Sequence, residues 1–170
     1  TLDGRVKPDL VAPGVGICSG RAEEARIPSG WSCGTETHSN GDDMYMSLDG
    51  SSQATAVAGG SVSLIREFIR EEIGISSPSA SLLKAAAING AVDLGSPDIP
   101  NAQEGWGRIS VENSIIPTYQ GTELQTYHDN SRQISAGFSA LYAFDLDPSS
   151  GLDVTLAWTD IAGSANAAQN

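Results

Sequence analysis

The stretch Gly50-Ser51-Ser52-Gln53-Ala54-Thr55-Ala56-Val57-Ala58-Gly59-Gly60 limits the fold most tightly, because side chains this small let other backbone lie directly against it. Larger apolar residues then join it in helical rhythm. Ala54, Ala58, Val62, Ile65, Ile69 and Ile73 recur three and four apart, which predicts one helix from Ser52 to a stop at Gly74. Ala54 to Gly60 offers only Ala, Gly, Val and Thr, so this half is expected to be buried on all sides. Arg66, Glu67, Arg70, Glu71 and Glu72 lie off the later apolar stripe and predict a solvent-facing side.

A serine at the start of such a helix has its hydroxyl beside unpaired backbone N–H groups and the positive end of the helix dipole, a favourable place for developing negative charge. Ser52 is therefore a candidate nucleophile, with Gly50 and Ser51 permitting a sharp entry. The competing reading is that Ser51 or Ser52 merely caps the helix. The pattern alone leaves both open.

Upstream, Lys7 to Gly16 predicts a short strand, Leu10 to Ala12, stopped by Pro13-Gly14. Ser19 to Asp43 shows neither helical nor strand period and is expected to be a long surface loop. Cys18 and Cys33 flank it, and spacing leaves a disulfide and two free thiols equally open. There is no CxxC pair and His38 stands alone near Cys33, so the sequence offers no zinc site. Downstream, Ser77-Pro78 announces a second helix with Leu82, Leu83, Ala86 and Ala87 as its buried face and Asn89-Gly90 as its end. In Gly105-Trp106-Gly107-Arg108-Ile109, glycines either side of an aromatic suggest close backbone approach around a buried ring.

After Pro117 the period becomes two. Phe138, Ala140, Tyr142, Phe144 and Leu146 predict one strand, Leu152, Val154, Leu156 and Trp158 another, with Pro148-Ser149-Ser150-Gly151 as the turn. Two strands alone are marginal, so the chain is expected to stop inside a β-domain, as it is expected to begin within a longer protein. Nine Lys and Arg against 21 Asp and Glu give a net charge of -12, which argues against nucleic acid and anionic membrane as partners. No apolar run is long enough to span a bilayer, and Thr1-Leu2-Asp3-Gly4 does not open a signal peptide, so the chain reads as soluble.

The Gly50–Gly60 stretch resembles, without a gap, the serine motif of the subtilases, G-T-S-M-A-x-P-x-V-A-G, with Ser52 on the nucleophile. Ser51 stands for Thr, Gln53 for Met, Ala56 for Pro and Ala58-Gly59 for Val-Ala. Arg5-Val6-Lys7-Pro8-Asp9-Leu10-Val11-Ala12-Pro13-Gly14 is similar to the strand and turn that precede this motif in the family. Leu82-Leu83-Lys84-Ala85 and Gly105-Trp106-Gly107-Arg108 are similar to segments that close its catalytic domain.

The resemblance implies the C-terminal part of an α/β, subtilisin-like three-layer parallel-sheet domain over residues 1–116. An all-β, jelly-roll-like sandwich would begin over 117–170. It implies a serine endopeptidase that cleaves polypeptides through an acyl-enzyme on Ser52, in an extracellular or secreted protein. Asp9 belongs to the Pro-Asp-Leu-Val-Ala-Pro-Gly turn and not to the catalytic aspartate motif. Neither His38 nor His128 has the context of the catalytic histidine. The family order puts Asp, His and the oxyanion Asn upstream of the serine, so residues 1–170 alone are expected to be inactive.

The chemistry requires no cofactor. A structural calcium is one role for Asp145, Asp147, Asp153 and Asp160; the other is plain solubility on an exposed strand face. Two alternatives stand beside the endopeptidase. One is a non-catalytic relative or binding module. The other is a serine esterase built on a G-x-S-x-G elbow, a pattern that Ala54 breaks.

Overall fold

The computed structural model describes residues 6–25, 30–95, 98–119, 121–130, 132–135, 137–146 and 151–159. The chain divides into two compact units, Val11–Gly60 and Thr1–Leu10 with Ser61–Asn170, and the helix α1 (Ser51–Glu71) runs from one into the other.

In the unit Val11–Gly60, β1 (Ile17–Gly20) pairs antiparallel with β2 (Tyr45–Leu48), from Ile17 opposite Leu48 to Gly20 opposite Tyr45. The segment Trp31–Cys33 also bonds to β2: the Ser47 N–H donates to the Trp31 carbonyl at 2.7 Å, and Ser32 bridges to Met46. Cys18 and Cys33 are joined in a disulfide, their Cα atoms 5.9 Å apart. The stretch expected to be one irregular surface loop is therefore held in place. Arg21 does much of this, its side chain only 6% exposed. Its guanidinium donates to the Ala25 carbonyl through Nε at 2.7 Å and to the Asp43 carbonyl through Nη1 at 2.9 Å, and it pairs with Asp42 at 3.4 Å. A rigid fork of five donors suits a loop whose carbonyls have no ladder to join.

Mixed α/β content is as expected; the parallel sheet is not found among the described residues. Both sheets there are two-stranded and antiparallel, β1–β2 and the small pair β3 (Thr118–Tyr119) with β4 (Thr122–Glu123). Leu10–Ala12, expected as a strand, reduces to one bridging residue, Val11. A parallel strand needs hydrogen-bonding neighbours on its edges, and no described segment runs parallel to this one.

The second unit holds the buried apolar residues: Ile65 and Ile69 of α1, Leu82, Ala86 and Ala87 of α2 (Ala80–Asn89), and Ile109. Ile65 and Ile69 are 0% and 1% exposed, worth about 1.5–3 kcal/mol each by burial alone. The apolar stripe ends there, since Ile73 is exposed. Gly74, at φ +81°, turns the chain off the helix and lets the Ile75 N–H reach back to the Ile69 carbonyl at 3.1 Å. The first turns of α1 are not buried on all sides as expected. Ser51, Ser52, Thr55, Ala56, Gly59 and Gly60 are exposed, because no described segment covers that face.

The second helix starts two residues later than Ser77-Pro78 predicts, because Ser79 is its cap: the Ser79 hydroxyl accepts the Leu82 N–H at 3.1 Å. Its end at Gly90 is as expected. Gly90 lies against α3 (Val111–Ile115), where a Cβ would stand 2.4 Å from the Ser114 nitrogen. Gly105 and Gly107 do carry a close backbone approach. At φ +65° and +109°, a Cβ on them would fall 2.1 Å from the Pro8 carbonyl oxygen and 2.5 Å from that of Val92. The Trp106 ring, expected to be buried, is 41% exposed: the contact is made by backbone, including a Trp106 N–H to Asp9 carbonyl bond of 2.9 Å.

The strands expected over Phe138–Leu146 and Leu152–Trp158 form no ladder, and their turn falls largely outside the described residues. Leu141 is 91% exposed and Leu156 76%. Alternation marks a face that would suit a sheet, but a strand needs partners to satisfy its backbone, and none is described here. Side-chain contacts are made here instead: Tyr127 meets Tyr142 and Phe144 edge-on at 6.1 and 5.9 Å, and the Tyr142 hydroxyl donates to Asp129 at 2.7 Å. No helix among the described residues is long and apolar enough to cross a membrane.

Candidate active site

Ser52 lies exposed in the first turn of α1. The entry to that turn is built from glycine. Gly50 sits at φ +148°, donates its N–H to the Gly14 carbonyl at 2.7 Å, and accepts the Ala54 N–H on its own carbonyl at 3.2 Å. That last bond is the first of the helix, which makes Gly50 the N-cap; Ser51 and Ser52 are inside the helix and cap nothing. Gly14 in turn is pressed against the helix start: a Cβ there would stand 2.8 Å from the Gly50 oxygen and 3.1 Å from the Ala54 Cβ. Small residues at 14 and 54 thus answer one close approach, whereas glycine at 50 is set by its φ of +148°.

Polar groups complete the turn. Asp49 accepts the Gly16 N–H at 2.6 Å, and the Thr55 hydroxyl donates to the Ser51 carbonyl at 2.8 Å. A glutamine three residues into a helix commonly reaches back to the cap N–H, but here Gly14 already takes that donor. Gln53 instead rests its Oε1 where a Gly50 side chain would be, 3.0 Å from the position of its Cβ. No acidic residue lies in the first turn, so the Ser52 N–H and hydroxyl keep the positive end of the helix.

No base is hydrogen-bonded to Ser52 among the described residues. His38 is engaged within its own loop, its Nε2 3.2 Å from the Arg21 carbonyl and its backbone N–H on the Asp42 carbonyl at 2.7 Å. His128 is half-buried with no partner for Nδ1, and burial lowers its pKa. Asp9 pairs with Lys7 at 2.5 Å and Lys84 at 2.9 Å. Burial alone would raise its pKa, but the two lysines outweigh burial and hold the carboxyl below its usual value. Asp145 and Asp153 are exposed, Asp147 and Asp160 lie outside the described residues, and no cluster of three metal-ligating side chains occurs among the described ones.

Sequence reasoning missed Asp49 and Arg21. Asp49 meets a partner 33 residues away, which no local period encodes. Arg21 offered only the weak signal of one of two arginines in an acidic loop. Glu104 had a local signal: Asn101 caps the Gln103 and Glu104 N–H groups at 2.8 and 3.0 Å, while the buried Glu104 carboxylate accepts from Leu94 N–H and Asn101 Nδ2.

The chain that carries this glycine-capped helix start, with the Pro13-Gly14 turn packed on it, also matches a known family. The model of the subtilase family, peptidase S8, matches residues 1–107, and the chain belongs to that family. Over 96% of its length it is 35% identical to a Dictyostelium discoideum protein described as serine protease/ABC transporter B family protein tagA. It is 27% identical over 94% to the tagB protein of the same description and organism. The chain spans about a tenth of these relatives, 10% and 11% of their lengths.

Proposed function

We propose that Ser52 is the nucleophile of a serine endopeptidase and that residues 1–116 are the serine-bearing part of its catalytic domain. The family supports a serine protease-type function; the observation that carries the assignment of Ser52 is its place inside a glycine-capped helix start, where its hydroxyl is exposed and its own N–H is free of the helix ladder. In this reading the Ser52 oxygen attacks a peptide carbonyl as its proton passes to a histidine base. The new C–O bond places negative charge on the carbonyl oxygen, and the Ser52 N–H donates to that oxygen. The C–N bond then breaks with the proton going to the leaving amine, and water releases the acyl group by the reverse path. Base, orienting aspartate and second oxyanion donor would come from segments outside residues 1–170, which would also cover the exposed Ser52–Ala56–Gly59 face. No cofactor enters these steps.

Residues 117–170 are proposed to begin a β-sandwich, completed by strands outside the chain. The match to the tagA protein extends over most of this segment, which the family model does not reach. Those relatives join a serine protease to an ABC transporter in their descriptions, and the same pairing is proposed for the full-length protein. The Cys18–Cys33 disulfide supports an oxidising, extracytosolic setting for the protease part. The test is a fluorophosphonate probe on the full-length protein. It should label Ser52 and spare Ser52→Ala, and peptide hydrolysis should disappear with the label; equal labelling of both proteins, or none of either, rejects the nucleophile in favour of a non-catalytic relative.

A further inference from the structure

Three contacts fix the approach to Ser52. Two are backbone: the Gly50 N–H on the Gly14 carbonyl, and the side-chain-free approach of Gly14 to Gly50 and Ala54. The third is made by a side chain. Asp49, three residues before Ser52, accepts the Gly16 N–H at 2.6 Å. A carboxylate on a backbone N–H is a charge-assisted bond, shorter and stronger than a neutral one. It ties the end of the Pro13-Gly14 turn to the residue that leads into α1. The same turn continues directly into β1, whose partner β2 ends one residue before Asp49. Sliding the turn along the helix start therefore requires breaking this bond.

We infer that Asp49 is a positioning residue for the Ser52 nucleophile, holding the Pro13–Gly16 turn against the first turn of α1 so that the Ser52 hydroxyl and N–H keep one direction. The inference rests on the reading of Ser52 as nucleophile. Asp49 touches no reacting atom. Its effect is geometric, and a displacement of a reacting group by about 1 Å costs on the order of 10² in rate. An asparagine keeps the accepting oxygen in the same place; an alanine removes it and leaves Gly16 N–H to solvent.

The experiment compares the full-length wild type with Asp49→Ala and Asp49→Asn for peptide hydrolysis, melting temperature and amide exchange at Gly16. Asp49→Ala should lower kcat about 10- to 100-fold with KM changed less than about twofold, and should speed exchange at Gly16. Asp49→Asn should restore Gly16 protection and return kcat to within about threefold of wild type. Wild-type kcat in Asp49→Ala, or a loss that appears in KM alone, overturns the inference. So does an Asp49→Asn variant as slow as Asp49→Ala with Gly16 protected. If Asp49→Ala does not fold, Asp49→Gln replaces it, since its acceptor is displaced by one methylene: kcat should fall in Gln and hold in Asn, and equal values overturn the inference. A wild type that neither hydrolyses peptide nor labels at Ser52 fails the nucleophile reading before any variant is compared, and the inference falls with it.

Discussion

Asn130 holds the start of α2 from 51 residues away, its Oδ1 accepting the Ser79 N–H at 2.7 Å and its Nδ2 donating to the Ser77 carbonyl at 3.0 Å. One amide thus satisfies a donor and an acceptor at the point where the chain enters a helix. Asn130→Ala should destabilise the protein by about 1–2 kcal/mol, the cost of leaving both groups without partners. Asn130→Asp can still accept from Ser79 but cannot donate to Ser77, so its loss should be intermediate. Urea unfolding of the three proteins followed by circular dichroism gives the order, and an alanine variant as stable as wild type contradicts it.

Gly90 has no space for a side chain. Because a Cβ would lie 2.4 Å from the Ser114 nitrogen and 2.5 Å from its Cα, relief requires moving the backbone of α3. Gly90→Ala should cost about 2–3 kcal/mol, the upper part of the overpacking range, whereas Gly20→Ala in β1, where a Cβ meets nothing within 4 Å, should be neutral or slightly stabilising through the smaller freedom of the unfolded chain. Thermal unfolding of the two variants side by side measures the contrast.

The Cys18–Cys33 bridge closes a loop of 15 residues, a constraint on the unfolded chain worth about 3 kcal/mol in the entropic account. Reduction, or Cys18→Ser with Cys33→Ser, should lower stability by an amount of that order. Faster amide exchange is expected first in β1, β2 and the Arg21 loop. Exchange measured with and without dithiothreitol checks this; unchanged protection in β2 would show that the Arg21 contacts suffice without the bridge.

His128 sets an acid limit. Burial lowers its pKa in the folded state below the ordinary 6.5, so below that pH the unfolded chain binds a proton that the folded chain resists. Its contribution is complete above about pH 6.5 and is lost as pH falls through the lowered folded value. Denaturation at pH 7.5 and 5.5, conditions chosen either side of about 6.5, should show a loss that shrinks in His128→Asn. An NMR titration of the His128 ring with an ordinary midpoint would refute the burial argument.

The parts legible in the sequence were those with a short-range signature. The Ile65 and Ile69 part of the α1 stripe, the Gly74 and Gly90 stops and the glycine requirement around Trp106 follow from period and backbone geometry within a few residues, whereas Ile73, expected on the same stripe, is exposed. Ser52 was legible as a candidate, and Gly50 as an entry, but which residue caps the helix was not: that depends on which carbonyl takes the Ala54 N–H. The start of α2 was misplaced because Asn130, far along the chain, occupies Ser77 and Ser79. The ring of Trp106 was misjudged because close backbone approach does not require a buried side chain between the glycines. Alternation over 138–158 marked a surface suited to a sheet without supplying the neighbours that make one.

The bridge between Cys18 and Cys33 has one more consequence, for how the protein would look after being nicked. It encloses the exposed residues Ala22, Glu23, Glu24, Gly30 and Trp31, the natural targets for a cutting enzyme on this stretch. A cut there would leave the two pieces covalently joined, so the sample would migrate as one band on a gel run without reductant and as two with it. The segment carrying Ser52 would stay tethered to the turn that supports it, and an apparently intact band would not certify an uncut chain.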